Sequence, residues 1–484
     1  MAAPASDILI VSDLHLGGPL RPPPHQDPDH PPPIGLRAIR RVVRLDRELA
    51  RFIDYHRAHP SAPGRRWTLI FNGDTIDFLH MDVRPDQDQL DAEESHYGLA
   101  FDERRARFKL AVIARCHRHS LTALARFIEA GHQVVFIVGN HDVDLWFGEV
   151  RNDLIEQIAA HADDPEQVRA GVRFEPWFYY DAGRAYVEHG HRFDPYATFP
   201  DPLSPLAADR ARYLAPNFGH FGLRYFCNRV PSFPIHDLDT MTWRDLWAWV
   251  KAHWPWGLLR SLGQYVAFVF RYAQATARDR FSRGRREAVT RARRRDRLRR
   301  FAARHGWPLA RILALDGMRK PHVGETIGRL IQALHLDRLA LIGLTLACVV
   351  VALGLVDAPW SGLLALGVAG LGFGAWRQLD RTRPPVDVHP LLGRVARRVG
   401  RLTDAKVVVF GHTHRPTLRQ VGKVRWLNPG SWEHLPRQHL HADGAPCDCA
   451  ARFGIIAGDR DHLRTRLVRW CARAHAPLRI EQEA

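Results

Sequence analysis

Five short clusters of Asp, His, Asn and Gly carry the chemistry in this chain: Asp13-Leu14-His15, Gly73-Asp74, Gly139-Asn140-His141-Asp142, His189-Gly190-His191 and Gly411-His412-Thr413-His414. Carboxylate oxygen, amide oxygen and neutral imidazole are the ligands that hard and borderline divalent ions take. Each cluster follows an apolar, β-branched run: Ile8–Val11, Trp67–Phe71, Val134–Val138, Ala185–Val187 and Val407–Phe410. Such runs read as buried strands. The ligand types therefore stand at the ends of several strands and converge on one sheet edge, which can hold two ions. Neighbouring ions need a ligand that reaches both, as a carboxylate can. Asp74, the acidic residue that immediately ends its strand, is the natural bridge.

The five motifs and their order resemble the calcineurin-like metallophosphoesterase superfamily. The resemblance implies an α/β fold, a four-layer αββα sandwich, and a two-metal hydrolase. It assigns Asp13, His15 and His414 to one ion and Asn140, His189 and His412 to the other, with Asp74 bridging. The cofactors would be two divalent metal ions (Mn, Fe, Zn or similar), which activate water at neutral pH and neutralise charge on a phosphate. His141 matches the non-ligand histidine that stabilises the transition state or protonates the leaving oxygen. Asp142 would orient His141 or a metal ligand. On a strand His189 and His191 would share a face; the first is taken as ligand and His191 as a substrate-phosphate contact. The Asn428-Pro429-Gly430-Ser431 turn also matches the superfamily. Some proteins of this fold have lost activity and act as scaffolds, but those lack part of the ligand set, and here every expected ligand type is present.

The phrases Gly73-Asp-Thr-Ile-Asp-Phe-Leu79 and Gly139-Asn-His-Asp-Val-Asp-Leu145 are similar in style to the UDP-2,3-diacylglucosamine pyrophosphatase group, which works at the cytoplasmic face of a membrane. Two departures stand against that narrower likeness. The group usually carries Arg where this chain has His141, and it lacks so large an insertion.

The chain has 484 residues and a formal net charge of +17, with a pI near 10.2. That length allows two or three domains, and that charge favours anionic partners. Six cysteines include no Cys-x-x-Cys pair, so a zinc ribbon is not expected; Cys447-Asp448-Cys449 beside His439 and His441 could bind a metal, but the plainer reading is an exposed loop with reduced thiols. Met1–Asp7 carries no basic, apolar leader, so the active site is expected to stay in the cytoplasm.

Strand and helix alternate through residues 1–200, the first part of the catalytic core, after a proline-rich loop at 19–35. The helix that follows bears an apolar stripe of Leu36, Ile39, Val43, Leu49, Phe52 and Ile53; residues 76–102 read as an active-site loop, and 103–130 as one helix. Residues 386–484 return to the sandwich pattern. Between them, 201–385 read as a helical insertion in three parts. The first is aromatic, with Trp243, Trp247, Trp249, Trp254 and Trp256 in one short stretch, either an interfacial belt or a core cluster. The second, 277–304, holds 13 Arg against 3 acidic residues.

The third part holds two uncharged stretches, Leu339–Val356 and Trp360–Trp376, around Asp357-Ala358-Pro359. As helices each rises roughly 26 Å, close to a bilayer core. Gly343 and Ala347 on one, Gly370 and Gly374 on the other, are spaced for close packing. Arg338 on one flank and Arg377, Arg381 and Arg383 on the other place both ends in the cytoplasm. The expectation is therefore an apolar membrane hairpin, 339–376, at the inner (cytoplasmic) membrane. The partners expected are a phosphate-containing, lipid-linked substrate and anionic membrane lipids, with nucleic acid disfavoured because no aromatic-rich RNA motif or zinc finger accompanies the Arg run. The rival readings are a membrane-tethered phosphodiesterase for soluble nucleotides and a catalytically silent membrane scaffold.

Overall fold

The computed structural model describes residues 6–22, 33–86, 89–230, 248, 251, 256–355, 360–382, 387–432, 439–440, 446–447 and 451–479. Most of the proline-rich loop, Trp243, Trp247, Trp249, Trp254, the Asp357-Ala358-Pro359 turn, Arg383, His441 and Cys449 lie outside them.

Strands β1 (Ser6–Val11), β2 (Arg66–Asn72), β3 (Gln133–Ile137) and β4 (Val172–Glu175) run parallel in one sheet. A second sheet takes β5 (Phe178–Asp181), β6 (Ala185–Glu188), β7 (Val407–Val409), β8 (Thr417–Val421) and β9 (Val424–Asn428) in the order β5-β6-β7-β9-β8. The short strands β10 (His439–Leu440) and β11 (Pro446–Cys447) pair with each other. β12 (Arg452–Ala457), β13 (Arg464–Cys471) and β14 (Ala476–Arg479) extend the first sheet to seven strands, with β12 antiparallel to β1.

The period-two alternation of side chains explains why two sheets stack. Ile8 and Ile10 of β1, Ile70 of β2, and Val135 and Ile137 of β3 form one core with Ala185, Val187, Val407, Val409 and Leu427 of the second sheet. Their neighbours Leu9, Val11, Leu69, Phe71, Val134 and Phe136 face the other way, onto helices Leu36–Ala58, Glu103–Cys116, Arg118–Glu129 and Gly148–Ala159. On the far side, Tyr186, Val408, Phe410 and Trp426 meet helices His389–Thr403, Leu309–Asp316 and Glu287–Arg304. The order is helix, sheet, sheet, helix. Burying one such aliphatic side chain stabilises by about 1.5–3 kcal/mol.

Three local expectations are corrected. Residues 103–130 make two helices, not one, broken at His117 (φ −118°, ψ 35°). The buried Asp46 carboxylate accepts the amides of His119 and Ser120 and so fixes the start of the second helix. The segment 76–102 contains a short helix, Ala92–Tyr97, capped by Asp91. In the stripe of the first helix only Leu49, Phe52 and Ile53 are buried, whereas Leu36, Ile39 and Val43 are exposed.

Among the described residues no strand lies between Glu188 and Val407. The basic run is partly consumed in docking: Arg294 pairs with Asp316, Arg297 with Asp201 and Arg304 with Glu175. Helices Leu336–Leu355 and Trp360–Thr382 pack against each other. Their close approach is at Gly372, where a Cβ would meet Thr345, and not at Gly343, Gly370 or Gly374, around which there is open space. Among the described residues one helix segment, Leu336–Gly354, is long and apolar enough to cross a bilayer, and it lies almost wholly on the surface.

The core also stores a pH dependence. His56 is buried beside Phe52, Trp67 and Phe453, and its Nδ1–H donates to the Phe52 carbonyl at 2.9 Å. Burial pushes it down to about 4, outweighing that hydrogen bond. Above pH ~6.5 the ring is neutral in both folded and unfolded chains. Below that only the unfolded chain takes the proton, so stability falls as pH drops from 6.5 to 4, by up to about 3 kcal/mol. Denaturant midpoints across this window should fall more steeply for the wild type than for His56→Gln; parallel profiles would refute the assignment.

Candidate metal centre

Asp13, Asp74, Asn140, His189 and His412 stand one to three residues beyond the ends of β1, β2, β3, β6 and β7. Asp13, His15, Asp74, His412 and His414 all adopt left-handed backbone, with φ of 54°, 50°, 49°, 65° and 54°. For a residue with a Cβ this costs on the order of 1–3 kcal/mol and persists only where the surroundings enforce it. Here they do. The Asp13 amide donates to the Gly73 carbonyl at 3.2 Å and the His15 amide to Asp74 at 2.9 Å. The His412 amide reaches both carboxylate oxygens of Asp13 at 3.2 Å. Two glycines permit the crowding. A Cβ on Gly139 would stand 2.2 Å from the Asp74 carboxylate, and one on Gly411 would stand 2.1 Å from the Ser12 hydroxyl.

Three groups of ligand atoms result among the described residues: Asp13, His15 and His414; Asp74, His189 and His412; and His15, Asp77, His80 and His141, which shares His15 with the first. In the first, His414 Nε2 lies 3.2 Å from Asp13 Oδ1 and 3.2 Å from His15 Nε2. His15 Nδ1 is held by Asp77 at 2.9 Å, which leaves Nε2 turned to the group. In the second, His189 Nδ1–H donates to the Asn72 carbonyl at 2.8 Å. Its Nε2 lies 3.2 Å from both Asp74 Oδ2 and Asn140 Oδ1. A ring fixed through one nitrogen and offering the other to oxygen ligands is the arrangement a metal-binding histidine needs.

The electrostatics fit a cation. Burial acts to raise the Asp74 carboxyl, but His189, His141 and His15 outweigh it and hold it well below the usual range. Burial likewise opposes ionisation of Asp13, which His414 and His189 keep low. Burial also opposes charge on His189, yet Asp74 and Asp13 push it up to about 9. Buried carboxylates thus draw protons onto imidazoles whose ligand nitrogens face them. A divalent ion answers the same field with neutral rings, so the donor set fits two ions of the Mn, Fe or Zn kind.

His141 and Asp142 have different surroundings. The His141 amide donates to Asp74 Oδ1 at 2.8 Å, and its Nδ1 lies 3.2 Å from Asp77 Oδ1. Nδ1 is thus committed to Asp77 and Nε2 is not part of that contact. Asp142 does not meet the His141 ring: its carboxylate accepts the Gly139 amide at 2.6 Å and the Thr75 amide at 2.8 Å, tying the Asp74 and Asn140 loops together. Burial, helped by Asp74, pushes its carboxyl up to about 7. His189 and His191 do not sit on a strand. β6 stops at Glu188 and Gly190 turns the chain at φ 109°, so the shared-face argument fails, although the two rings remain 5.5 Å apart. His191 is buried, and among the described residues its Nδ1 has no hydrogen-bond partner.

Three residues went unremarked in the sequence. Asp77, three positions beyond Asp74, joins His15, His80 and His141 through one buried carboxylate; the second, His80, lies 2.8 Å from it. The third, Asp194, holds His412 Nε2 at 3.0 Å and leaves Nδ1 for an ion. The turn at Asn428 has a local task too: its side-chain amide donates to the Gly411 carbonyl at 3.1 Å and the Thr413 hydroxyl at 3.0 Å, bracing the Gly-His-Thr-His loop. Removing such a support from a ligand weakens metal binding by about 10–100-fold. Asp194→Ala should therefore lose its ions to a chelator at correspondingly lower concentration. Unchanged retention would remove Asp194 from the centre.

Residues 388–444 match the model of the calcineurin-like phosphoesterase superfamily domain. The matched stretch takes in helix His389–Thr403, β7 to β9, the Gly-His-Thr-His loop and the Asn-Pro-Gly-Ser turn. It supports assignment to that superfamily, with which the two-sheet α/β architecture and the possible metal-ligand clusters agree. No curated protein matches the chain.

Proposed function

We propose that this protein is a membrane-associated, two-metal phosphoesterase that hydrolyses a phosphoester or pyrophosphate bond of a lipid-linked substrate. The observation that carries the reading is the pair of ligand groups, Asp13/His15/His414 and Asp74/His189/His412, side by side on one sheet edge. Asp74 would bridge them and Asn140 would complete the second. Two ions held there would supply activated water at neutral pH and neutralise charge on the phosphoryl oxygens. Asp77 and Asn72 hold His15 and His189 with their ligand nitrogens presented. His141, held through Nδ1, offers Nε2 to the leaving oxygen as proton donor. Asp142 keeps the loops of Asp74 and Asn140 in register. The membrane part is supported by the exposed apolar helix Leu336–Gly354, with Trp360–Thr382 packed beside it as the second arm of a hairpin. On this reading residues 201–385 are a membrane-binding insertion in a catalytic domain split between 1–200 and 386–484, which faces the cytoplasm.

The test is turnover by the full chain with Mn²⁺ and after chelation, on a bis-aryl phosphate and on a diacylglucosamine nucleotide in detergent micelles. Metal-dependent hydrolysis preferring the lipid supports the whole reading. Equal turnover of both removes the lipid substrate and leaves a tethered phosphodiesterase. Bound metal without turnover of either leaves a scaffold.

A further inference from the structure

The loop that leaves β6 carries metal-centre residues at both ends. His189 opens it, Gly190 turns the chain at φ 109°, and one tight helical turn spans His191–Phe193. Asp194 closes it and holds His412 Nε2 at 3.0 Å. Arg192 stands between the two. It is 3% exposed, and its guanidinium lies 4.0 Å from the centre of the Trp177 ring. On one side Glu188 Oε1 is 3.8 Å from Nη1; on the other, Nη2 donates to Asp316 Oδ1 at 2.7 Å. Glu188 is already engaged, accepting the Tyr186 hydroxyl at 2.6 Å and the Trp177 indole at 3.1 Å. The close ion pair of Arg192 is therefore with Asp316, 124 positions along the chain and inside the insertion.

Asp316 is badly placed for its own helix. It is the last residue of Leu309–Asp316, where the helix dipole disfavours negative charge, and it is buried. What offsets both penalties is tertiary. Arg192 and Arg294 pair with the carboxylate, and Arg319 faces it. The same stretch also grips the loop backbone. The Lys320 amide donates to the Arg192 carbonyl at 2.9 Å, and the Val323 amide to the Pro195 carbonyl at 3.2 Å. Residues 316–323 of the insertion thus brace residues 192–195 through a buried ion pair and backbone hydrogen bonds.

We propose that Asp316 is a positioning residue of the metal centre, acting through Arg192 to hold the loop from His189 to Asp194 where His189 and His412 need it. A buried charge stripped of its partner is strongly unfavourable. Without the Asp316 carboxylate, the Arg192 guanidinium is left facing Arg294 and Arg319; it shifts toward Glu188 and carries the loop with it. His189 Nε2 then leaves its 3.2 Å contacts with Asp74 and Asn140, and Asp194 slackens its hold on His412. The inference rests on the two-metal reading above, but neither on hydrolysis nor on the membrane. It gives the insertion a task inside the metal centre, beyond attachment.

The experiment loads the full chain with Co²⁺ and reads its visible ligand-field bands and the chelator concentration that removes half of the metal. Asp316→Ala should release metal at about 10–100-fold lower chelator, the usual effect of losing a ligand's support, with altered bands. Arg294→Ala removes another cation from the same carboxylate and should leave both readings near those of the wild type. Wild-type retention and bands in Asp316→Ala overturn the proposal. So does equal loosening in the two variants, which would mean that the insertion merely stabilises the fold. A thermal melt of the metal-free chain checks folding. If Asp316→Ala does not fold, Asp316→Asn, which keeps an oxygen for Arg192, takes its place; a smaller shift in the same direction is expected, and no shift overturns the proposal. A wild-type chain that binds no Co²⁺ overturns this proposal and the two-metal reading together. Metal-loaded chains that show the Asp316 effect but hydrolyse no phosphoester retain the proposal and remove the phosphoesterase.

Discussion

Asp74→Asn is expected to carry at most one metal ion per chain and to lose phosphoester turnover by roughly a thousandfold or more. The position makes the substitution unusually clean. Asp74 stands at φ 49°, where Asn is among the few residues that sit without much strain. The amide oxygen can still accept the His141 amide that now reaches Oδ1. What goes is the negative charge that faces His189 at 3.2 Å and is also held down by His15, one imidazole from each ligand group. A centre that polarises phosphoryl oxygen contributes several kcal/mol of transition-state stabilisation, and each 1.36 kcal/mol is tenfold in rate. Metal content by elemental analysis, turnover and a thermal melt decide the case together. A variant with two ions and near-normal turnover would sink the bridging role. One that fails to fold would direct the test to His189→Gln, which leaves Asp74 itself unchanged.

The gathering of the Asp13, His15, Asp74, His189, His412 and His414 side chains could be read in advance because its information is local. Each ligand lies within a few residues of an apolar run, and a strand end sends the next residues toward one edge whatever the rest of the chain does. The four layers follow from the same runs, since Ile8 and Ile10 alternate with Leu9 and Val11 and each set needs its own cover. The supports were hidden for the opposite reason. Asp77 lies in a phrase already singled out, yet a carboxylate in a polar loop has many conceivable partners. Only the folded loops reveal that it takes three imidazoles at once. Asp194 meets His412 from 218 positions away. No spacing rule reaches that far.

Periodicity misled where the chain departs from regular backbone or where an amphipathic face has no protein cover. His189 and His191 are two apart, but the left-handed turn at Gly190 removes the strand that would have aligned them. Leu36, Ile39 and Val43 share the helical period of Leu49, Phe52 and Ile53. A period reports that a face is apolar and is silent on what lies against it, so the same pattern described core in one half of the helix and open surface in the other. The glycine spacing of the two apolar helices failed similarly, because the register of two helices, which put Gly372 on Thr345, is not encoded in either alone.

His141→Ala is expected to keep both ions and lose turnover by about 10²–10⁴-fold, the usual contribution of a positioned proton donor. His141 clusters with His15, Asp77 and His80 and not with Asp13 or Asp74, and its Nδ1 is committed to Asp77. Only Nε2 can meet the substrate, and it can do so in two ways: by donating a proton to the leaving oxygen or by placing positive charge near the phosphoryl oxygens. Leaving groups separate them. A nitrophenolate departs without protonation, whereas an alkoxide needs it, so a proton donor costs much less on the aryl ester than on the alkyl ester when removed. Equal losses on both would reassign His141 to charge stabilisation. Loss of an ion would show instead that the His141–Asp77–His15 connection serves the metal site. Asp77→Asn then gives an independent reading, because it weakens the hold on all three imidazoles while leaving His141 itself present. If His141 acts on the leaving group through the orientation Asp77 imposes, the Asn variant should reproduce the leaving-group bias of His141→Ala in weaker form, and an Asn variant with no bias would break that link.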